Sequence, residues 1–172
     1  GAFLQATQTG AKAITESVLA GISSASRILE LHAGCGTLSF PLHQRGQLHV
    51  VEGDPEAARA LSTAAARAGL HGTFTVETRD LADHPLDTRE LADYEAMVFD
   101  PPRAGAREQA KHIAAGGPDR VVAVSCNPAT FARDARILSE AGYLLDRVVP
   151  IDQFLWSPHV ELVAHFRRGT AA

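Results

Sequence analysis

The sequence predicts an α/β domain: a mostly parallel sheet with helices on both faces and an antiparallel hairpin at one edge. Three observations carry this reading. Short apolar blocks alternate with stretches of helical period along the whole chain, the pattern of repeated strand–helix–strand units. Blocks such as Val121-Val122-Ala123-Val124 are continuously apolar, which suits strands covered on both faces. The last two blocks alternate more clearly, as strands of an antiparallel hairpin do. With 172 residues, 45% of them hydrophobic, the chain has material for one core, and residues 1–172 are expected to form a single domain.

Taken in order, residues 9–21 place Ala11, Ile14, Val18 and Leu19 on one helical face. Arg27 to His32 reads as the first strand, and Thr37 to Gln44 opens the next helix. Leu48 to Glu52 is the second strand. Pro55, at a first-turn position, starts a helix to Ala68 that Gly69 and Gly72 close. Thr73 to Glu77 is the third strand and Glu95 to Asp100 the fourth. A helix over Arg107 to Ala115 ends at Gly116-Gly117-Pro118. The fifth strand, Val121 to Ser125, leads into a helix from Ala129 to Ala141. Gly142 then turns the chain into Tyr143 to Ile151, and Val160 to Arg167 runs back.

Composition limits the functions available. No run approaches the length of a membrane span, and no basic-plus-apolar leader precedes the first helix. Two cysteines far apart make neither a disulfide framework nor a zinc pattern, so a reducing, cytoplasmic setting and no metal are expected. Sixteen Lys and Arg against 20 Asp and Glu leave a net charge of −4. A domain that grips nucleic acid alone usually carries a basic face, so any RNA contact here is expected to be weak or to rely on a companion domain.

Three loops carry the chemistry. Leu29 to Leu38 is a strand running into a turn, His32-Ala33-Gly34-Cys35-Gly36, and then a helix. Glycines let backbone approach a ligand, and the following helix N-terminus favours negative groups. Ser39 stands where a dinucleotide fingerprint wants a third glycine. Glu52, closing the second strand, suits a ribose diol, and Asp54 can share or replace that role. A glycine turn with this acid, lacking the third glycine, resembles the S-adenosylmethionine loop of class I methyltransferases, with a Rossmann-like sheet. The second loop, Asp100-Pro101-Pro102-Arg103-Ala104-Gly105, leaves the fourth strand at the same edge, its prolines stiffening the backbone around Asp100. In amino-methyltransferases such a loop ends on an aromatic; here Arg103 suits a phosphate or a carbonyl-rich base. The third is Ser125-Cys126-Asn127-Pro128, which puts Cys126 at the carboxyl end of a strand, where open α/β sheets bind ligands. A helix N-terminus close by gives its thiol a reason for a lowered pKa and for nucleophilic work. A small buried hydrophobe is the alternative.

A cysteine that adds to C6 of uracil makes C5 nucleophilic, and a base must then remove the C5 proton. Glu161 begins the return strand of the hairpin among apolar residues, where desolvation would raise its pKa toward that of a useful base. His159 can orient the loop or compete for the role. Asp100-Pro-Pro-Arg-Ala-Gly, Ser125-Cys-Asn-Pro-Ala-Thr with Arg133-Asp134, and His159-Val-Glu161 occur in this order. Together with Phe3-Leu4-Gln5 they resemble the catalytic domain of the uracil-C5 RNA methyltransferases.

That resemblance implies transfer of a methyl group from S-adenosylmethionine, with S-adenosylhomocysteine as product, to C5 of a uridine in structured ribosomal or transfer RNA. Cys126 would be the nucleophile and Glu161 the proton acceptor. Asp100, Arg103, Asn127 and Phe154 would bind substrate, while Gln5, His32, Gly34, Gly36, Glu52, Asp80 and Asp100 would line the cofactor. Neither DNA nor a membrane is an expected partner. The resemblance also implies a piece of a longer protein whose N-terminal RNA-binding domain is not in this sequence. Phosphate contacts are expected from Arg103, Arg107, Lys111, Arg133 and Arg136, with Arg167 and Arg168 as solvated charges. Two other readings stay open: an amino-methyltransferase using Asp100-Pro-Pro, or a non-catalytic cofactor- or RNA-binding remnant.

Overall fold

A computed structural model describes residues 7–153 and 159–169, so Gln5 and Phe154 lie outside the described residues. Seven strands form one sheet: β1 (Arg27–Leu31), β2 (Gln47–Glu52), β3 (Phe74–Thr78), β4 (Ala96–Phe99), β5 (Arg120–Ser125), β6 (Tyr143–Ile151) and β7 (Glu161–Arg168), in the order β3-β2-β1-β4-β5-β7-β6. The first five strands pair in parallel, and β7 is antiparallel to both of its neighbours. The helices are α1 (Gln8–Gly21), α2 (Ser39–His43), α3 (Pro55–Arg67), α4 (Thr88–Leu91), α5 (Arg107–Gly116) and α6 (Pro128–Glu140).

Alternate side chains of the strands feed two cores. Ile28, Val50, Val98 and Val122 pack with Ile14 and Val18 of α1, Leu42 of α2 and Leu61 of α3. Leu29, Leu31, Met97 and Val121 pack on the other face with Ile113 of α5 and Leu138 of α6. Each fully buried leucine such as Leu138 contributes about 1.5–3 kcal/mol, and this two-sided burial is why the central strands lack a polar period.

Most predicted elements stand within a residue or two of their expected ends. The helix expected over residues 37–44 is trimmed to Ser39–His43, because Thr37 and Leu38 belong to the turn and no side chain caps the start. One element differs. α4 was not foreseen: its four residues are too few for a periodic signal, and it stands on a capping box between Asp87 and Glu90. The expected hairpin is present, with β6 at the sheet edge. Its return strand β7 does not sit outside β6 but fills the place between β5 and β6. The α6 crossover carries the chain past that place, and β7 comes back to occupy it.

Candidate active site

The strand register assembles the site. The parallel strands end along one edge, so His32, Glu52, Asp100 and Cys126 each follow or close a strand there. β7 runs the other way, and its residue Leu162 pairs with Ser125. One step further along each strand lie Cys126 and Glu161, so the antiparallel register brings together two residues distant in sequence. Both line a cavity of about 490 Å³, with Glu30, His32, Gly34, Asp100, Arg103 and His159 also on its wall.

Three buried or partly buried acids, Glu30, Asp100 and Glu161, line this cavity. Glu161 is only 2% exposed, and its Oε1 has no hydrogen-bond partner among the described residues. Burial pushes its pKa up, while a side-chain hydrogen bond from Gln153 pulls it down. Burial also raises Asp100 to about 7, aided by the Glu161 charge. Glu30 is 2% exposed, its Oε2 lacks a partner among the described residues, and burial lifts it to about 8. Glu30 is not among the residues expected at the site from sequence, since it stands inside a buried strand. Its signal was there: a carboxylate inside Ile28-Leu29-Glu30-Leu31 has no place in an apolar core without a task.

One expectation is corrected by the surroundings of Cys126. Its thiol pKa is raised, not lowered, by burial first and then by the charges of Glu161 and Asp100. Arg103 and a backbone hydrogen bond pull the other way without overcoming them. The helix N-terminus is present, but burial and the two neighbouring acids leave the thiol pKa raised. The thiol therefore holds its proton more tightly than a free cysteine, with carboxylates close at hand.

The glycine turn holds unusual backbone. His32, Gly34 and Gly36 all have positive φ, at 61°, 56° and 85°. For His32 this is a strained conformation of the kind found at ligand sites. A Cβ at Gly36 would meet Leu61 Cδ1 at 2.3 Å, so glycine there is demanded by packing as well. Glu52 braces the turn: its Oε2 accepts from Gly34 N at 2.7 Å and its Oε1 from Asp54 N at 2.8 Å. Each oxygen keeps a second lone pair for a ligand. Asp54 instead caps α3, accepting from Glu56 N and Ala57 N. Asp80 is exposed and accepts from Ala82 N, near enough to His32 to act on it electrostatically.

A clamp ties the Asp-Pro-Pro loop to α6. Asn127 donates from Nδ2 to the Arg103 carbonyl at 3.0 Å and accepts from Ala129 N through Oδ1. Both ends of its amide are thus engaged in holding the loop and capping the helix. Thr130 Oγ1 donates to the same Arg103 carbonyl. Buried Asp134 accepts from Ala106 N at 2.8 Å and pairs with Arg133, which also reaches the Ala104 carbonyl. Arg133 is therefore not the free phosphate contact that its sequence suggested. Lys111 pairs with Glu108 and Arg136 with Glu140, leaving Arg103 and Arg107 as the exposed cations of those five that form no carboxylate bridge among the described residues. Arg168, expected to be solvated, stacks over Tyr143 and donates to the carbonyls of Ile113 and Gly117. Asp134→Ala should cost about 1–3 kcal/mol in urea unfolding, because it strands the buried Ala106 amide; the half-exposed Arg133 loses a partner but can turn to water.

A parallel sheet with one reversed strand between the last two, a glycine turn after the first strand and an acid closing the second define a class I methyltransferase fold. The chain belongs to the tRNA (uracil-5-)-methyltransferase family, whose sequence profile matches residues 76–168. It is 49% identical over 164 residues to an uncharacterized RNA methyltransferase of Agrobacterium fabrum, covering 95% of this chain and 39% of that relative. It is 35% identical to the 23S rRNA (uracil(1939)-C(5))-methyltransferase RlmD of Acinetobacter baumannii, over 86% of this chain and 33% of the relative. The chain thus spans about two fifths or less of these curated relatives' length. Among solved structures, the Pyrococcus abyssi tRNA (uracil-54, C5)-methyltransferase in complex with S-adenosyl-L-homocysteine superposes with a TM-score of 0.83 at 28% identity, covering 96% of this chain and 40% of that one. The fold alone is shared with a geranyl diphosphate C-methyltransferase of Streptomyces coelicolor, with a TM-score of 0.74 at 11% identity over 91% of this chain and 78% of that one.

Proposed function

We propose that this chain is the catalytic domain of an enzyme that methylates C5 of a uridine in structured ribosomal or transfer RNA through a covalent cysteine adduct. The observation that carries the proposal is the pairing of Ser125 with Leu162, which sets Cys126 and Glu161 at one cavity. In this reading Cys126 adds to C6 of the uracil, and its thiol proton leaves to a nearby carboxylate. Electron density moves to C5, which takes the methyl group. Glu161 then accepts the C5 proton, the C5–C6 double bond re-forms, and the Cys126 sulfur is expelled.

The cavity suits S-adenosylmethionine. Its carboxylates, including the unpartnered oxygen of buried Glu30, fit a ligand that carries an ammonium and a sulfonium. Glu30, His32 and the Gly34–Gly36 turn would hold the methionine end, and Glu52 the ribose, with Asp80 beside them. The donor supplies an electrophilic methyl group. Asp100 and Arg103 would orient the uracil. Asn127 serves substrate binding indirectly, by fixing the loop that carries Arg103.

Curated relatives extend well beyond the length matched here, and the net charge of −4 argues that this chain alone binds RNA weakly. Among the described residues no helix is long and apolar enough to cross a membrane. The proposal is tested by incubating the protein and its full-length parent with RNA containing 5-fluorouridine and S-adenosylmethionine. Fluorine at C5 cannot leave as a proton, so a covalent protein–RNA band should accumulate with wild type and be absent with Cys126→Ala. Unchanged methylation by Cys126→Ala would overturn the thiol mechanism in favour of amino-group chemistry at Asp100.

A further inference from the structure

Gln153 follows β6 and is itself buried, at 4% exposure. Its side chain is hydrogen-bonded to the Glu161 carboxylate, and only an amide N–H can donate in such a pair. Glu161 Oε1 has no partner among the described residues, and Glu161 lines the cavity. One carboxylate oxygen is thus held while the other stays available. Gln153 is in turn backed by the first turn of α1. A Cβ built on Gly10 would lie 2.3 Å from Gln153 Oε1 and 2.8 Å from Gln153 Cβ. Gly10 therefore makes the space in which Gln153 lies, beside Thr7, whose hydroxyl caps the helix.

We propose that Gln153 is the positioning residue of the Glu161 base, seated by Gly10, and that the start of α1 thereby sets the proton-abstraction step. The proposal rests on the role given to Glu161 above. A carboxylate anchored through one oxygen keeps the other at fixed distance from the C5 proton, and misplacement by about 1 Å costs on the order of a hundredfold. The hydrogen bond also favours the ionised base against the burial that opposes it.

Two variants separate this from a packing role. Gln153→Leu removes the donor, and Gly10→Ala leaves it intact but displaces it. The Glu161 carboxyl is followed by 13C NMR over pH in glutamate-labelled protein, its signal identified by its loss in Glu161→Gln. Both variants should move that titration upward. In the full-length protein with unmodified in vitro transcripts of ribosomal and transfer RNA, turnover should fall about tenfold to a hundredfold. Capture of 5-fluorouridine RNA, which needs no C5 proton removal, should keep its wild-type rate. An unmoved Glu161 titration in both variants overturns the proposal, as does a capture rate that falls together with turnover. Free turnover by Glu161→Gln instead overturns the base assignment itself, whatever the two variants do to the titration.

Discussion

Glu161→Gln is expected to methylate once and then stay attached to its RNA. In the proposed mechanism, addition of Cys126 to C6 and methyl transfer to C5 both precede loss of the C5 proton, so the variant should reach the methylated adduct at close to the wild-type rate. Glutamine matches glutamate in shape but has no lone pair basic enough to take that proton. Elimination of the cysteine should slow by about 10²–10⁴-fold, the usual contribution of a positioned base. On a denaturing gel, RNA labelled through the donor methyl group should therefore remain bound to protein for far longer than with wild type. Rapid release of free methylated RNA would remove Glu161 from the role. Burial holds the folded pKa of Glu161 above the ordinary carboxylate range. The wild-type rate should accordingly rise with pH on a limb displaced upward from 4.5, and Glu161→Gln should lack that limb.

The second large effect concerns Glu30, a carboxyl buried at 2% exposure with a pKa of about 8. The folded value lies above the unfolded one, so the ligand-free fold binds the proton more tightly than the unfolded chain. Its stabilising contribution is full below about pH 4.5 and is lost as the pH rises through about 8. Between pH 5 and 8 the wild-type protein should lose about 3 kcal/mol of unfolding free energy from this group. Asp100, at about 7, adds a slope of the same sign. Glu30→Gln should flatten much of that decline, leaving the variant more stable than wild type at pH 8. The same change should weaken S-adenosylhomocysteine binding by tenfold or more in calorimetry, since in the proposed site it deletes the charge offered to the ligand's ammonium. A variant with unchanged pH-dependence of unfolding would show that Glu30 is not the buried acid responsible. Stability surrendered for a binding site is a common exchange in enzymes.

Much of this was legible from the residues. Continuous apolar blocks marked the strands because a sheet covered on both faces has no polar period, and the glycine turn declared itself because positive φ needs glycine at two of its three special positions. His32, the third, carried no such signal. Asp54 and Arg133 show the limit from the other side. A side chain's partners decide its task, and those partners stand on a helix start for Asp54 and on a loop distant in sequence for Arg133. Gln153 was invisible for the same reason: nothing in Ile151-Asp152-Gln153 announces a contact with both Gly10 and Glu161.

By itself the sequence determined the α/β class, the order of strands and helices along the chain, and the residue types from which a thiol-and-carboxylate site can be built. Those follow from local periodicity and from turn chemistry, which act over a few residues. Only the tertiary structure decided that β7 lies between β5 and β6, and hence that Cys126 and Glu161 share one cavity. It also reversed the direction of the thiol's pKa shift, because Coulomb energy and desolvation depend on which charges converge in space. Neighbours along the chain supply the helix N-terminus, but the pairing of distant strands supplies the burial and the acids that raise the thiol pKa.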